Sequence, residues 1–314
     1  MTSVGKEAGP LLAIVGPTAV GKTMLALRLA EVLNGEVVSA DSRQVYRGMD
    51  IGTAKPTTEE RARIPHHLID IREPDEPLSL AEYQRMAYQA VDSLLARSKL
   101  PMLVGGTGQY VRAVVEGWSI PAVPPDKALR AKLYAQAEAA GPEALHARLH
   151  SLDPLTAERI DLRNVRRVVR ALEICLITGQ PASELQRKTP PPYRIIQVGL
   201  TRPRQTLYRR ADERVDAMIA AGLVGEVRQL IEAGYGWYLP AMSSLGYQEI
   251  GAHLRGETPL EEAVQRIKRE TRRFIRHQYN WFRLSDPHIF WFDLEKTPLP
   301  AVEAAAVSLI QAML

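Results

Sequence analysis

The run Gly16-Pro17-Thr18-Ala19-Val20-Gly21-Lys22-Thr23 fits G-x-x-x-x-G-K-[ST] and constrains this chain more than any other feature. It follows the apolar stretch Leu11 to Val15 and opens a helical pattern, Met24 to Leu33. A strand, a glycine loop and a helix start are the context in which this motif is a phosphate-binding P-loop. Glycines let successive N–H groups curl around one anion, and the helix N-terminus adds partial positive charge. Lys22 would hold the outer phosphate, and Thr23 would ligate Mg2+. A chance glycine turn would not match eight residues in that setting, so the feature predicts a di- or triphosphate site.

A chain of 314 residues accommodates one large α/β domain, or a domain with an insertion. The net charge of +4 is mild and neither requires nor excludes a nucleic-acid partner. One cysteine, Cys175, excludes an internal disulfide and a cysteine zinc site. It lies on the apolar side of a helical run, as a small core residue. No secretory segment precedes the loop and no apolar run is long enough to span a bilayer, so a cytoplasmic protein is expected. Residues 1–9 read as a loose polar arm.

Glu36 to Ala40 reads as a buried strand that delivers Asp41-Ser42-Arg43-Gln44-Val45-Tyr46. In a parallel sheet its C-terminal end opens on the same crevice as the P-loop, so Asp41 would face the space beside the phosphates. The competing role for Asp41 is a helix cap. Residues 47–78 are rich in Pro and Gly and are expected to be an irregular binding loop. His66 and His67 lack a third ligand at metal-site spacing and are assigned to loop or core. Ser79 and Glu82 form a capping box for a helix to about Ser98, and Leu100 to Val104 is a second buried strand.

That strand runs into Gly105-Gly106-Thr107-Gly108-Gln109-Tyr110 rather than into the aspartate that phosphate-hydrolysing P-loop enzymes usually carry there. The glycines permit close approach of a ligand and Thr107 offers a hydroxyl, unless the segment is merely a tight turn. The missing acid weighs against a kinase or nucleotidase. Prolines at Ile120 to Asp126 and Thr189 to Pro192 bracket about four helical patterns. They divide the chain into an α/β core, 1–122 and 193–314, and an all-helical insertion, 123–192. Within the insertion Arg163, Arg166, Arg167 and Arg170 recur at helical spacing with few acids, which suits a phosphate backbone.

Ile195 to Leu200 returns to the sheet, and Arg202 to Gly222 forms a basic helix carrying Arg209, Arg210 and Arg214. One of these is expected to reach the phosphates, with surface ion pairing as the competing role. Ser243 to Glu249 reads as a turn entering a helix. Leu260 to Leu284 is a long basic helix with Tyr279, Trp281 and Phe282 among its cations. Basic residues interleaved with aromatics suit looped RNA; an aromatic core face is the alternative. His288 to Asp293 and Val302 to Leu314 read as an edge strand and a closing helix.

Five separated motifs carry a resemblance to one family: the P-loop, Ser39-Ala40-Asp41-Ser42 with Gln44-Val45-Tyr46, Asp50 to Pro56, Gly105 to Tyr110, and Leu245-Gly246-Tyr247-Gln248. Over about residues 11–292 the chain resembles the tRNA dimethylallyltransferases. The resemblance implies a P-loop NTPase-like parallel core that binds dimethylallyl diphosphate rather than ATP. It implies prenyl transfer to N6 of adenine 37, beside the anticodon of tRNA, with release of pyrophosphate. Carried onto this chain, Thr18, Gly21, Lys22 and Thr23 would hold the diphosphate and Mg2+, joined by Arg214. Asp41 would take the amine proton and Thr107 would orient the amine. Residues 41–44, Arg130, the Arg166 to Arg170 segment and Ser243-Ser244-Leu245-Gly246-Tyr247-Gln248 would contact the tRNA, with the helical insertion gripping the anticodon stem. Arg43-Gln44 departs from the Ala-Leu common in that family. One cysteine excludes the zinc finger of eukaryotic relatives and points to the bacterial form. The rival readings are an isopentenyltransferase using free AMP, a small-molecule kinase and a non-catalytic RNA switch. Nothing in the sequence requires more than a monomer.

Overall fold

The computed structural model describes residues 9–313. The polar arm expected at 1–9 lies outside the described residues except for Gly9, which opens the first strand. In chain order the elements are β1 (Gly9–Val15), α1 (Lys22–Leu33), β2 (Gly35–Ser39), α2 (Thr58–Arg63), β3 (His66–His67), α3 (Leu80–Ala96), β4 (Leu100–Val104) and α4 (Gly108–Val115). Then come α5 (Lys127–Leu152), α6 (Pro154–Arg159), α7 (Val165–Thr178) and α8 (Ala182–Leu185). The chain closes with β5 (Tyr193–Thr201), α9 (Arg204–Ala220), α10 (Leu223–Glu232), α11 (Tyr247–Leu254), α12 (Leu260–Trp281), β6 (Ile289–Asp293) and α13 (Leu299–Gln311).

The six strands form one parallel sheet in the order β3-β2-β4-β1-β5-β6. Ile14 and Ser39 both pair with Val104, so β1, β4 and β2 end level with one another. Residues of β1 alternate between two cores: Leu12 and Ile14 pack with α1, α9 and α13, whereas Leu11, Ala13 and Val15 pack with α3 and α4. Each is fully buried, worth ~1.5–3 kcal/mol for a leucine or valine side chain. This two-sided burial is why the strand reads as an unbroken apolar run. A third core joins Val45, Tyr46 and Met49 to α10 and α11.

The chain divides into two compact units, one of residues 9–115 with 192–313 and one of Glu116–Pro191. The second holds α5 to α8 around Leu133, Leu149, Leu172 and Cys175. Its entry and exit segments are zipped by Ser119 N–H to Arg187 O at 2.7 Å and Thr189 N–H to Gly117 O at 2.8 Å.

Three local expectations need correction. The stretch 47–78 is not irregular throughout: Thr57 and Glu60 form a capping box for α2. His66 and His67 form the edge strand β3, too short to register as periodicity, with His67 Nε2 2.7 Å from the Glu36 carboxylate. The α10 helix was not anticipated, and α12 ends at Trp281 rather than at Leu284.

Candidate active site

Level strand ends place three loops side by side. The first is the P-loop, which leaves β1 at Gly16 with φ 139°. A Cβ there would lie 2.4 Å from Leu200 O of β5, so no side chain fits. Gly21 (φ 119°) caps α1, whose first turn holds no acid to offset its N-terminal dipole. Among the described residues no protein acceptor engages the N–H groups of Ala19, Val20, Gly21, Lys22 or Thr23. The loop's carbonyls are fastened instead. Lys22 Nζ donates to Gly16 O (3.0 Å) and Pro17 O (2.9 Å), Arg210 Nε to Ala19 O (2.9 Å), and Arg202 Nε to Val20 O (3.2 Å). The loop is therefore held in shape by the protein's own hydrogen bonds.

Its charge is also set in advance. Burial, then the neighbouring Arg214 guanidinium, pull the Lys22 ammonium down to about 8 against the opposing pull of Asp41. Burial and the nearby Arg210 lower Arg214 in turn. Arg214 has no carboxylate partner among the described residues and stays open to solvent although protein crowds its guanidinium. Cations crowded together with no carboxylate hydrogen-bonded to either among the described residues give this loop a positive potential that favours an anion. Arg209 is not part of it, since it pairs along its own helix with Glu213.

The second and third loops leave β2 and β4. Asp41 Oδ1 accepts the N–H groups of Arg43 (2.8 Å) and Gln44 (3.3 Å), so the carboxylate folds its own loop without capping a helix. Its Oδ2 has no protein partner among the described residues. A Cβ on Gly105 would meet Ala40 O at 2.1 Å, which is why β4 exits through glycine. Thr107 N–H donates to Ala40 O (3.2 Å), and Thr107 Oγ1 accepts the Ser42 N–H (3.0 Å). Beneath them Tyr83 donates to Ser39 O at 3.0 Å and stacks on Tyr110 at 3.7 Å. Asp41 and Thr107 thus stand on one rigid floor at the sheet edge, beside Lys22.

Residues flanking this edge have mixed fates. Arg43 Nη1 donates to Pro240 O at 2.9 Å, tying the Asp41 loop to the segment before Ser243. Gln44 is spent on the fold, donating to Thr53 O and Ala54 O and accepting from Ser39. Of the turn Ser243 to Gln248, Ser243 and Gln248 are exposed, whereas Ser244 and Gly246 are buried. Tyr247 is also buried, its hydroxyl donating to Glu226. Ser244 and Tyr247 therefore shape the turn and present no side chain to a partner.

In the helical unit, Arg130 donates to the fully buried Glu173 at 2.8 and 2.7 Å, and Arg170 donates to the same carboxylate. Arg163 pairs with Asp161. Arg166 and Arg167 are exposed, and no acid pairs with them among the described residues. The arginine-rich stretch is thus half internal scaffold and half free charge. Sequence reasoning missed Gln278, Arg202 and Tyr83; the basic run of α9 pointed toward Arg210 without marking what it holds.

A family model described as IPP transferase matches residues 44–285. A tRNA dimethylallyltransferase of Roseiflexus castenholzii is 59% identical over 274 residues, 87% of this chain and 90% of that protein. The full-length tRNA isopentenylpyrophosphate transferase of Bacillus halodurans shares the fold at TM-score 0.71 and 41% identity, over 98% of both chains. A eukaryotic dimethylallyltransferase acting on tRNA matches at TM-score 0.76 and 28% identity, over 91% of this chain and 74% of that one. The conclusion is direct: the chain belongs to the IPP transferase family.

Proposed function

We propose that this protein transfers the dimethylallyl group of dimethylallyl diphosphate to N6 of adenine 37 in tRNA. The observation that carries the reading is the sharing of one sheet edge by two chemistries. A cationic, carboxylate-free phosphate cradle lies beside an aspartate with one unpaired oxygen and a threonine hydroxyl.

In this reading the open N–H groups of Ala19 to Thr23, with Lys22 and Arg214, stabilise pyrophosphate as its charge develops. The allylic C1–O bond breaks while N6 attacks C1. N6 is a weak nucleophile because its lone pair is delocalised into the purine. Asp41 Oδ2 takes its proton as the C–N bond forms, when the amine turns acidic. Thr107 orients the amine. Among the described residues no cluster of three His, Cys, Asp or Glu could hold a metal. Mg2+ would be held by the Thr23 hydroxyl in the first turn of α1, where it would neutralise phosphate charge. The adenine must leave its stack to reach this edge. The helical unit, with Arg166 and Arg167 free, serves as the grip on the anticodon stem, and Ser243 and Gln248 as contacts nearer the base. AMP as acceptor would leave those arginines without a task.

Labelled dimethylallyl diphosphate with Mg2+ tests this against an anticodon stem-loop and free AMP in parallel. Label in the stem-loop alone supports the reading, label in AMP alone moves the protein to the AMP-using class, and label in neither sinks prenyl transfer.

A further inference from the structure

Gln278 is buried on α12, 3% exposed, and both halves of its amide are engaged. Oε1 accepts the Thr18 N–H at 2.8 Å, and Nε2 donates to Gly106 O at 3.0 Å. One partner belongs to the phosphate cradle. The other belongs to the glycine turn that carries Thr107. These segments leave adjacent strands, and Gly105 N–H to Ile14 O (3.3 Å) is the last backbone bond between them. Beyond that point the Gln278 amide is the hydrogen-bonded bridge from one to the other among the described residues.

The fit is close on every side. A Cβ on Gly106 would stand 2.3 Å from Gln278 Nε2, so the turn has no slack there. One helical turn on, the Trp281 ring covers Gly108 so tightly that a Cβ would lie 2.2 Å from its Cγ. Arg112 of α4 donates to Trp281 O at 2.6 Å, closing the clamp from the far side. The end of α12 therefore holds the Thr107 turn at two points, α4 at a third and the P-loop at one.

We propose that Gln278 is a positioning residue that sets the separation between the diphosphate in the P-loop and the acceptor amine at Asp41 and Thr107. It touches neither reactant. The proposal rests on the prenyl-transfer reading and adds a consequence. Bond formation needs the reacting atoms within ~3–3.5 Å, and a displacement of ~1 Å costs about a hundredfold. Breaking the C1–O bond of the donor does not need N6 in place. If the turn drifts from the cradle, water captures C1 in place of N6. The products are then dimethylallyl alcohol, pyrophosphate and a proton released to solvent. Gln278 thus couples pyrophosphate release to transfer.

The test compares wild type, Gln278→Leu and Gln278→Glu. Leucine keeps the approximate volume and removes both bonds; glutamate keeps the acceptor for Thr18 and loses the donor to Gly106. Pyrophosphate released, prenyl transferred to the stem-loop and alcohol formed are measured together with thermal midpoints and the Kd of each substrate. Expected are Kd values within about threefold of wild type, transfer slower by ~10–100-fold, and pyrophosphate exceeding transferred prenyl by about twofold or more, the surplus appearing as alcohol. Folded variants that still release one pyrophosphate per prenyl transferred overturn the proposal, whether transfer is fast or slow. A wild-type enzyme inert on the stem-loop would instead overturn the function on which it rests.

Discussion

Thr107 Oγ1 accepts the main-chain N–H of Ser42 at 3.0 Å, which fixes the threonine against the residue following Asp41. The hydroxyl proposed to orient the acceptor is therefore also the pin that aligns it with Asp41, the proposed base. Thr107→Ser preserves that pin and should keep kcat within about threefold, whereas Thr107→Val should lower it by ~10-fold or more through an unpaired Ser42 amide and a lost hydroxyl. Steady-state kcat on the stem-loop separates the two.

Asp41→Asn keeps an oxygen for the Arg43 and Gln44 amides and removes the proposed proton acceptor. The expected loss is ~100–10,000-fold in kcat, with stem-loop Kd little changed. Asp41→Ala also loses the turn and should weaken stem-loop binding as well. Equal turnover in wild type and Asp41→Asn would remove Asp41 as the base.

Arg214 is a crowded cation without a carboxylate partner among the described residues, so its substitution leaves no buried acid unpaired. Arg214→Gln should weaken inorganic pyrophosphate binding by about 1.5–3 kcal/mol, or ~10–150-fold, while the melting temperature holds or rises slightly. Calorimetric titration with pyrophosphate reads the first, a thermal melt the second.

Among the described residues Arg166 and Arg167 have no acidic partner, whereas Arg170 pairs with Glu173. Arg166→Ala and Arg167→Ala should each flatten the slope of log Kd for tRNA against log salt by about one and weaken binding evenly across tRNA sequences. Arg170→Ala should instead destabilise the helical unit. Unchanged salt slopes would return the two exposed arginines to ordinary surface.

Burial raises the Glu173 carboxyl, but hydrogen bonds from Arg130 and Arg170 outweigh it and hold the group below the usual carboxylate range. A carboxylate depressed in the folded state contributes stability above its unfolded value, near 4.5, and loses it as pH falls through the lower folded value. Glu173→Gln should therefore cost about 3 kcal/mol at pH 7, with two arginines left facing a neutral amide. The gap between variant and wild type should narrow toward pH 3. Hydrogen exchange over residues 127–175 at pH 7 and acid melts of both proteins read this.

Where the polypeptide's own chemistry dictated a feature, the residues announced it. The P-loop, the Ser79 and Glu82 capping box, and the buried strands β1, β2, β4 and β5 were legible because glycine geometry, capping and apolar runs act over a few neighbours. Asp41 was found from its place at a strand end, given parallel topology. The two-residue β3 was invisible, since a period cannot be read from two residues. The split within the arginine-rich run was equally hidden, because Arg130 and Arg170 differ from Arg166 and Arg167 only in facing Glu173.

The sequence by itself determined that this chain would present a glycine-rich P-loop and an acidic strand end on an α/β scaffold. Tertiary structure decided how the P-loop and the Thr107 turn are held in register. Thr18 and Gln278 lie 260 residues apart, and nothing local to either marks the other as its partner. Hydrogen bonds satisfied within a turn leave a local sequence pattern, whereas an amide that bridges two loops acquires its meaning only when packing brings both within 3 Å.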